Sequence, residues 1–346
     1  MKDYTFLYNI LNTNTPSGLE YKGNEVFADY VSNFAEKHLT DKLGNTVYKI
    51  GNGATKILLS AHIDEIGLRV QYIDNDGFIH VIKNGGVDLK TLLGASVKIL
   101  HDDKEIIGVI GKAPIHVERR NNAENKDIKI TDIKIDCGFL NKEEALKSIS
   151  IGDCVVVNQP IITLGNSRIA CKGLDDKAGV YVVAKALKLL SETKLKNVEV
   201  YGATCVQEET TWNGATSLVK MINPDISIDY DVTFASDDGH VEAKEWGDVK
   251  LGNGGCIVHS PDCTPRLVKK LQETASTCQI PTQEFALGGS MTNTNPLKQF
   301  GYNVETALLS IPLRNMHTQV EVVDLNDLDA LVQLTVETIL AIDNES

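Results

Sequence analysis

The sequence predicts an α/β protein in which a mostly parallel sheet is flanked by helices and interrupted once by a small β-rich unit. Strand-like and helix-like segments alternate near both ends of the chain, which is typical of parallel sheets. Residues 68–164 instead contain short alternating segments punctuated by Asp-Gly, Gly-Gly and Gly-Asp, as in a small β-barrel or sandwich. A chain of 346 residues is long enough for two domains. We therefore expect one discontinuous domain, residues 1–67 and 165–346, with residues 68–164 as an inserted domain.

The first segment predicts a helix followed by two strands. Apolar residues recur every four positions from Val26 to Phe34, as on one face of an amphipathic helix. Two strand candidates follow at residues 46–50 and 56–60, and the Gly-Asn-Gly sequence between them is a turn signal.

After the insert, helices and strands alternate to the end of the chain. Apolar residues from Val180 to Leu190 share one helical face, and Thr264-Pro265 is a cap followed by proline at the first position of a helix. The further strands are predicted at residues 197–206, 225–230 and 304–311, and the further helices at residues 214–222, 266–276 and 325–342.

Composition excludes several classes of protein. The net charge of −13 argues against a nucleic-acid or anionic-membrane surface. Seven scattered cysteines without a CxxC pair indicate reduced thiols and a cytoplasmic location. The N-terminus has no basic region followed by a long apolar run, and no stretch is apolar enough to span a bilayer, so we expect neither a secretory leader nor a membrane span.

Histidines and carboxylates follow the predicted strands at the point where each strand ends. In open α/β sheets the functional groups gather beyond the carboxyl ends of the strands, so we expect these side chains to converge. They are His62 and Asp64, Asp175 and Asp176 before a helix, Glu208 and Glu209, Asp231, and His317.

So many acids at one sheet edge would repel each other unless cations lie among them. Two imidazoles with several carboxylates suit Zn²⁺, Co²⁺ or Mn²⁺ better than Ca²⁺. One histidine per ion with a bridging carboxylate would place two ions about 3.5 to 4 Å apart, as in two-metal hydrolases. Asp64 would face the same way as His62 on a strand and orient it. Glu208 and Glu209 would point apart, so that one ligates while the other serves as a general base.

Each of these signals has a simpler explanation when it is taken alone. A His-x-Asp sequence is usually a solvated strand end, and two aspartates before a helix are often an N-terminal cap. A pair of glutamates is usually a polar surface, and His317 by itself would be an ordinary loop histidine. Their shared placement after strands is what supports a metal site.

The phrases AHIDEIG, LDDKAG, QEE, DVT and SIPLRNMHT, in this order, resemble the tetrahedral (TET) metallo-aminopeptidases. That family includes glutamyl- and leucyl-type aminopeptidases and some members labelled endoglucanases, and the likeness covers nearly the whole chain. It implies a phosphopeptidase-like catalytic domain with an inserted β-barrel dimerisation domain. It also implies two divalent ions per subunit, short peptide substrates cleaved by a metal-activated water, and a homododecamer built from dimers.

The resemblance also implies a role for each candidate residue. Asp175 would bridge the two ions, and Asp176 would follow it across a peptide bond that can be cis. The remaining implied metal ligands are His62, His317, Glu209 and Asp231, and the implied catalytic residues are the general base Glu208 and the supporting Asp64.

Two departures from the family pattern leave alternatives open. The sequence TTWNGA, with Trp212, replaces a Gly-rich stretch, and Asn293 stands where the family has an acid. One alternative is a deacylase or amidase that acts on small N-acylated substrates with the same metal centre. The other is a catalytically silent oligomeric scaffold.

Overall fold

A computed structural model of the chain describes residues 3–120 and 127–345, so residues 121–126 of the predicted insert lie outside the described part. The strands are β1 Glu36–Thr40, β2 Thr46–Gly51, β3 Thr55–His62, β4 Gly67–Ile73, β5 Ile79–Asn84, β6 Ser96–His101, β7 Lys104–Ile110, β8 Lys134–Asp136, β9 Cys154–Val157, β10 Ile162–Leu164, β11 Arg168–Cys171, β12 Val198–Cys205, β13 Ile226–Phe234, β14 Gly255–His259, β15 Thr282–Ala286, β16 Glu305–Leu313 and β17 Glu321–Asp324. The helices are α1 Thr5–Leu11, α2 Tyr21–Val31, α3 Ile115–Arg120, α4 Lys142–Ala145, α5 Leu174–Ser191, α6 Asn213–Ile222, α7 Ala243–Trp246, α8 Pro265–Cys278, α9 Thr294–Gln299 and α10 Leu325–Glu345, with a 3₁₀ turn at Ile130–Asp132.

A large mixed sheet forms the centre of the molecule and confirms the predicted fold class. In the described residues its eight strands run in the order β1-β2-β12-β3-β13-β16-β14-β15. The four middle strands β12, β3, β13 and β16 are parallel, so their carboxyl ends meet at one edge of the sheet. Strands β2 and β14 pair antiparallel to this parallel core.

Helices cover both faces of the sheet. Successive residues of a strand point to opposite faces and therefore belong to two different apolar cores. Along β3, Ile57 and Leu59 belong to the main core with α5 and α10, whereas Leu58 belongs to the core beneath α6 and α9. Helix α5 packs closely on β12, since a Cβ atom at Gly202 would lie only 2.2 Å from Leu187 Cδ1.

The predicted insert contains a closed antiparallel barrel in the order β4-β5-β8-β7-β6-β9. Its interior is filled by a separate apolar core that includes Leu68, Ile79, Ile99, Ile135 and Val155. Barrel closure removes free strand edges. The boundaries at residues 67/68 and 164/165, and a dimerisation role for this domain, stay predictions.

Some elements differ from the prediction. Residues 162–164 form β10, a strand that was not predicted and that pairs with β11 in a small sheet outside the barrel. The predicted first helix ends at Val31, and residues 36–40 form the exposed edge strand β1. No helix in the described ranges is both long and apolar enough to cross a membrane.

A buried ion-pair network holds the loops that surround the carboxyl edge. The Glu65 carboxylate lies 2.6 Å from Lys172 Nζ and 3.1 Å from Lys177 Nζ, and it also accepts the Thr15 N–H. Burial alone would raise the pKa of Glu65, but the two lysines lower it to about 2. Gly173 permits this approach, because it has φ +64° and a Cβ there would meet Glu65 Oε2 at 2.8 Å.

We expect Glu65→Gln to lower the free energy of unfolding by about 3–5 kcal/mol, because it leaves the fully buried Lys177 ammonium without its counter-charge. Chemical denaturation of the two proteins measures this difference. The matched control is Glu105→Gln, which removes an exposed partner of Lys98 and should cost less than ~1 kcal/mol. Equal effects of the two substitutions would contradict the role of the buried network.

Candidate active site

The structure brings the sequence-predicted histidines and carboxylates together at the carboxyl edge of the sheet. His62 is the last residue of β3, Asp175 lies at the start of α5, and Asp231 lies within β13. Glu208 and Glu209 follow β12, and His317 follows β16. Parallel strands place these positions side by side, although 255 residues separate the two histidines in the chain.

His62 lies at the centre of one half of the cluster and is only 1% exposed. Its Nε2 atom lies 3.0 Å from Asp175 Oδ1, 3.8 Å from Asp231 Oδ1 and 4.0 Å from Glu208 Oε2. Burial lowers the pKa of His62, but the surrounding carboxylates raise it well above its ordinary value.

Asp175 presents one carboxylate oxygen to each histidine. Oδ1 lies 3.0 Å from His62 Nε2, and Oδ2 lies 3.3 Å from His317 Nε2. Burial would raise the pKa of Asp175, but the two histidines hold it below its ordinary value. A carboxylate held in this way has the arrangement that a bridging ligand between two cations requires.

His317 forms the other half of the cluster and is oriented from two sides. Its Nε2 atom lies 3.5 Å from Glu209 Oε1, and its Nδ1 atom lies 3.1 Å from the Gly86 carbonyl oxygen. A Cβ atom at position 86 would lie 2.7 Å from that Nδ1. The loop after β5 of the barrel domain therefore helps to set the ring orientation.

Asp64 connects His62 to the two glutamates. His62 Nδ1 lies 3.1 Å from the Asp64 carbonyl oxygen and 3.5 Å from its Oδ1. The Asp64 carboxylate accepts the backbone N–H of Glu208 at 3.0 Å and that of Glu209 at 3.2 Å. Asp64 thus holds the first histidine through its carbonyl oxygen and the turn that carries the glutamates through its carboxylate.

Glu208 and Glu209 lie in a turn rather than in an extended strand end. The turn closes because the N–H groups of Thr211 and Trp212 donate to the Gln207 carbonyl oxygen. Both glutamates line the same cavity, but Glu208 approaches His62 and Glu209 approaches His317. The two side chains therefore face different histidines.

Trp212, one of the two departures from the family pattern, contacts Glu208 directly. Its indole N–H donates to Glu208 Oε1 at 2.8 Å, which leaves Oε2 on the side of His62. Burial raises the pKa of Glu208 to about 8, with Glu209 and Asp175 adding to this shift and His62 opposing it.

Two carboxylates at the site were not assigned a role by sequence reasoning alone. Glu321, at the start of β17, accepts the backbone N–H groups of His317 and Asp175. Asp176 follows Asp175 across a cis peptide bond, and its buried Oδ2 atom has no hydrogen-bond partner. The sequence around Glu321 gives no clear signal for this role, because a glutamate that accepts hydrogen bonds from backbone N–H groups leaves no spacing pattern.

The donor set fits divalent metal ions. Two groups of side chains each place ligand atoms within 4.8 Å of one another, namely His62 with Asp176 and Asp231, and His62 with Asp175 and Glu209. Burial, together with neighbouring carboxylates, raises the pKa of Asp176, Asp231 and Glu209. The cluster therefore carries more buried carboxylates than two imidazoles can neutralise, and cations among them would remove that conflict.

The second departure, Asn293, is not among the residues that line the cavity at the cluster. Its side chain is fully buried, and its Oδ1 lies 3.6 Å from Cys205 Sγ. Arg314 forms two 2.7 Å bonds with Asp237 and likewise does not line the cavity at the cluster. Neither side chain adds a charge to this site.

Comparisons with known proteins agree with this architecture. Residues 44–334 match the family described as M42 glutamyl aminopeptidase. A lysyl aminopeptidase of Pyrococcus furiosus is 32% identical, with 96% of each chain covered. The aminopeptidase APDkam598 of Desulfurococcus kamchatkensis has a TM-score of 0.89 and 34% identity, covering 97% of this chain and 93% of that one.

A further solved structure is the Pyrococcus horikoshii TET1 peptidase, described as able to assemble into a tetrahedron or a large octahedral shell. Its TM-score is 0.86 at 30% identity, and the match covers 96% of this chain and 98% of that chain. The family match spans well over half of the 346 residues. The chain therefore belongs to the M42 glutamyl aminopeptidase family and is a metal-dependent aminopeptidase.

Proposed function

We propose that this aminopeptidase uses two divalent metal ions to remove N-terminal residues from short peptides. His62 and Asp231 would hold one ion, His317 and Glu209 would hold the other, and Asp175 would serve both. The observation that carries this assignment is the Asp175 carboxylate, whose two oxygens face the two histidines at 3.0 and 3.3 Å. Zn²⁺, Co²⁺ and Mn²⁺ all suit this mixture of imidazole and carboxylate donors.

When bound, such ions act as Lewis acids on the scissile carbonyl and lower the pKa of a water. Glu208 would accept the proton of the attacking water at Oε2, the oxygen that Trp212 leaves free. The same carboxyl group would return the proton to the departing amine. Asp64 would hold Glu208 and His62 in fixed positions relative to each other. Its carbonyl oxygen contacts the His62 ring, and its carboxylate accepts the Glu208 N–H.

Neither alternative finds support in the comparisons. A deacylase or amidase would need only the same metal centre, but the matched family and the named relatives are aminopeptidases. A silent scaffold would be expected to lose some of the clustered side chains, and the close contacts between the two histidines and the carboxylates weigh against it.

We infer a homo-oligomeric shell, a dodecamer built from dimers, from the resemblance to TET peptidases. The related Pyrococcus horikoshii peptidase is described as forming a tetrahedron or an octahedral shell. The barrel surface supports contact between subunits, because Tyr72, Ile107 and Val109 are about half exposed there. We also retain the cytoplasmic location as a prediction, since the seven cysteines are free.

We expect Glu208→Gln to lower kcat by at least ~10²-fold, because glutamine cannot take up and return the proton. Metal content measured by elemental analysis should stay near that of the unaltered protein, since Glu208 is not among the proposed ligands. Release of the N-terminal residue from a leucyl dipeptide measures the loss. Unchanged turnover with normal metal content would remove Glu208 from the role of general base.

We expect Trp212→Phe to lower kcat about 10-fold with little change in KM. The indole N–H bond to Glu208 Oε1 orients the carboxylate, and a hydrogen bond to a charged group contributes roughly 1.5–3 kcal/mol. Trp246→Phe is the matched control, because Trp246 lines the same cavity but stacks edge-on against Phe234. That control should change KM rather than kcat. The same pattern in both variants would argue against the orienting role.

A further inference from the structure

The His and carboxylate cluster occupies only one end of a larger cavity of about 680 Å³. Away from the cluster, large apolar side chains line this cavity. We call them the apolar wall, and they are Phe234, Trp246, Phe285, Leu287, Leu308 and Met316. The catalytic groups and the apolar wall therefore belong to one continuous space.

Two members of the apolar wall belong to the buried protein core. Leu308 is 1% and Phe285 is 6% exposed, and both belong to the main apolar core. Strand register places Ser310 of β16 beside Asp231 of β13, so Leu308, two residues earlier, faces the same side. The wall thus begins on the strand that neighbours the proposed metal ligand Asp231, and Leu308 and Asp231 line the same cavity.

The wall also contains packed aromatic rings. Phe234 and Trp246 meet edge to face, with ring centroids 5.0 Å apart. Phe285 packs against Gly247, where an added Cβ atom would lie 2.7 Å from Phe285 Cβ. These contacts hold the rings in place before any ligand binds.

Charged side chains that line the cavity, within the described residues, all belong to the cluster itself. Nearby charges have other partners. Glu284, next to Phe285 in β15, pairs with His259 at 2.7 Å, and Arg314 pairs with Asp237. Asp262 accepts the Ser290 N–H at 2.6 Å from outside the cavity lining.

We propose that the apolar wall binds the side chain of the N-terminal substrate residue, and that the preferred residues are neutral and apolar, such as leucine, methionine or phenylalanine. This inference rests on the proposed two-metal peptidase function. In an aminopeptidase the N-terminal side chain branches from the carbon bonded to the scissile carbonyl, so it must enter the space next to the cluster. An ammonium or carboxylate group placed against the wall would contact apolar side chains and find no opposite charge among the described residues of the wall.

The preference is measured with aminoacyl-alanine dipeptides that carry leucine, methionine, phenylalanine, lysine or glutamate at the N-terminus. The protein is used as the full chain, loaded in turn with Zn²⁺, Co²⁺ and Mn²⁺. We expect kcat/KM for the three apolar residues to exceed that for lysine and glutamate at least ~10-fold. An equal or higher value for lysine or glutamate would overturn the proposal.

A matched pair of variants tests the wall itself. Leu287→Asp places a carboxylate at a partly buried wall position and should raise the lysine-to-leucine ratio of kcat/KM at least ~10-fold. Leu287→Asn has the same size without the charge and should lower the value for leucine without favouring lysine. Identical ratios in the two variants would show that the N-terminal side chain does not contact the wall.

A binding measurement separates this inference from the proposed function. Calorimetry with Glu208→Gln compares leucinamide with lysinamide, neither of which needs to be hydrolysed. Leucinamide that binds at least ~10-fold more tightly than lysinamide supports the wall. If the unaltered protein then cleaves no dipeptide, only the proposed two-metal peptidase function is overturned. Equal or weaker binding of leucinamide overturns the wall even if dipeptides are cleaved.

Discussion

The arrangement of this site depends on one carboxylate shared by two histidines. Asp175 faces His62 through one oxygen and His317 through the other, and both rings have their second nitrogen held by a backbone carbonyl. Around this unit lie further carboxylates whose pKa values are raised by burial and by neighbouring carboxylates. Divalent cations convert that repulsion into coordination, and this is the physical basis for a metal-dependent aminopeptidase.

The fold supplies this concentration of acids by placing parallel strand ends at one edge. Three polar residues, His62, Asp64 and Glu65, lie at the end of the buried strand β3 and just after it, and each is accommodated. His62 and Asp64 belong to the cluster, whereas Glu65 turns away and neutralises two buried lysines. Burial of these charges is tolerable because Glu65 pairs with both lysines and cations are proposed among the carboxylates of the cluster.

Much of this could be predicted from the sequence, because residues that follow parallel strands must meet. That rule accounts for His62, Asp231 and His317, whereas Asp175 lies at the start of α5, after β11 of the separate small sheet. The rule could not find contacts that depend on loop conformation. The Trp212 indole reaches Glu208 only because residues 207–212 form a closed turn. Strands β14 and β15 were likewise not predicted, because they are short and join the sheet only through the pairing of β14 with β16. The apolar wall could not be predicted either, because its residues come from four segments that are separate in the chain and meet only in the folded protein.

Anomalous X-ray diffraction from crystals saturated with Zn²⁺ or Mn²⁺ would locate the cations independently of activity. We expect two peaks per chain, one in contact with His62 and Asp231 and the other with His317 and Glu209, with Asp175 contacting both. A chain that shows no peak among these side chains under saturating metal, or one peak that Asp175 does not contact, would contradict the proposed two-metal site.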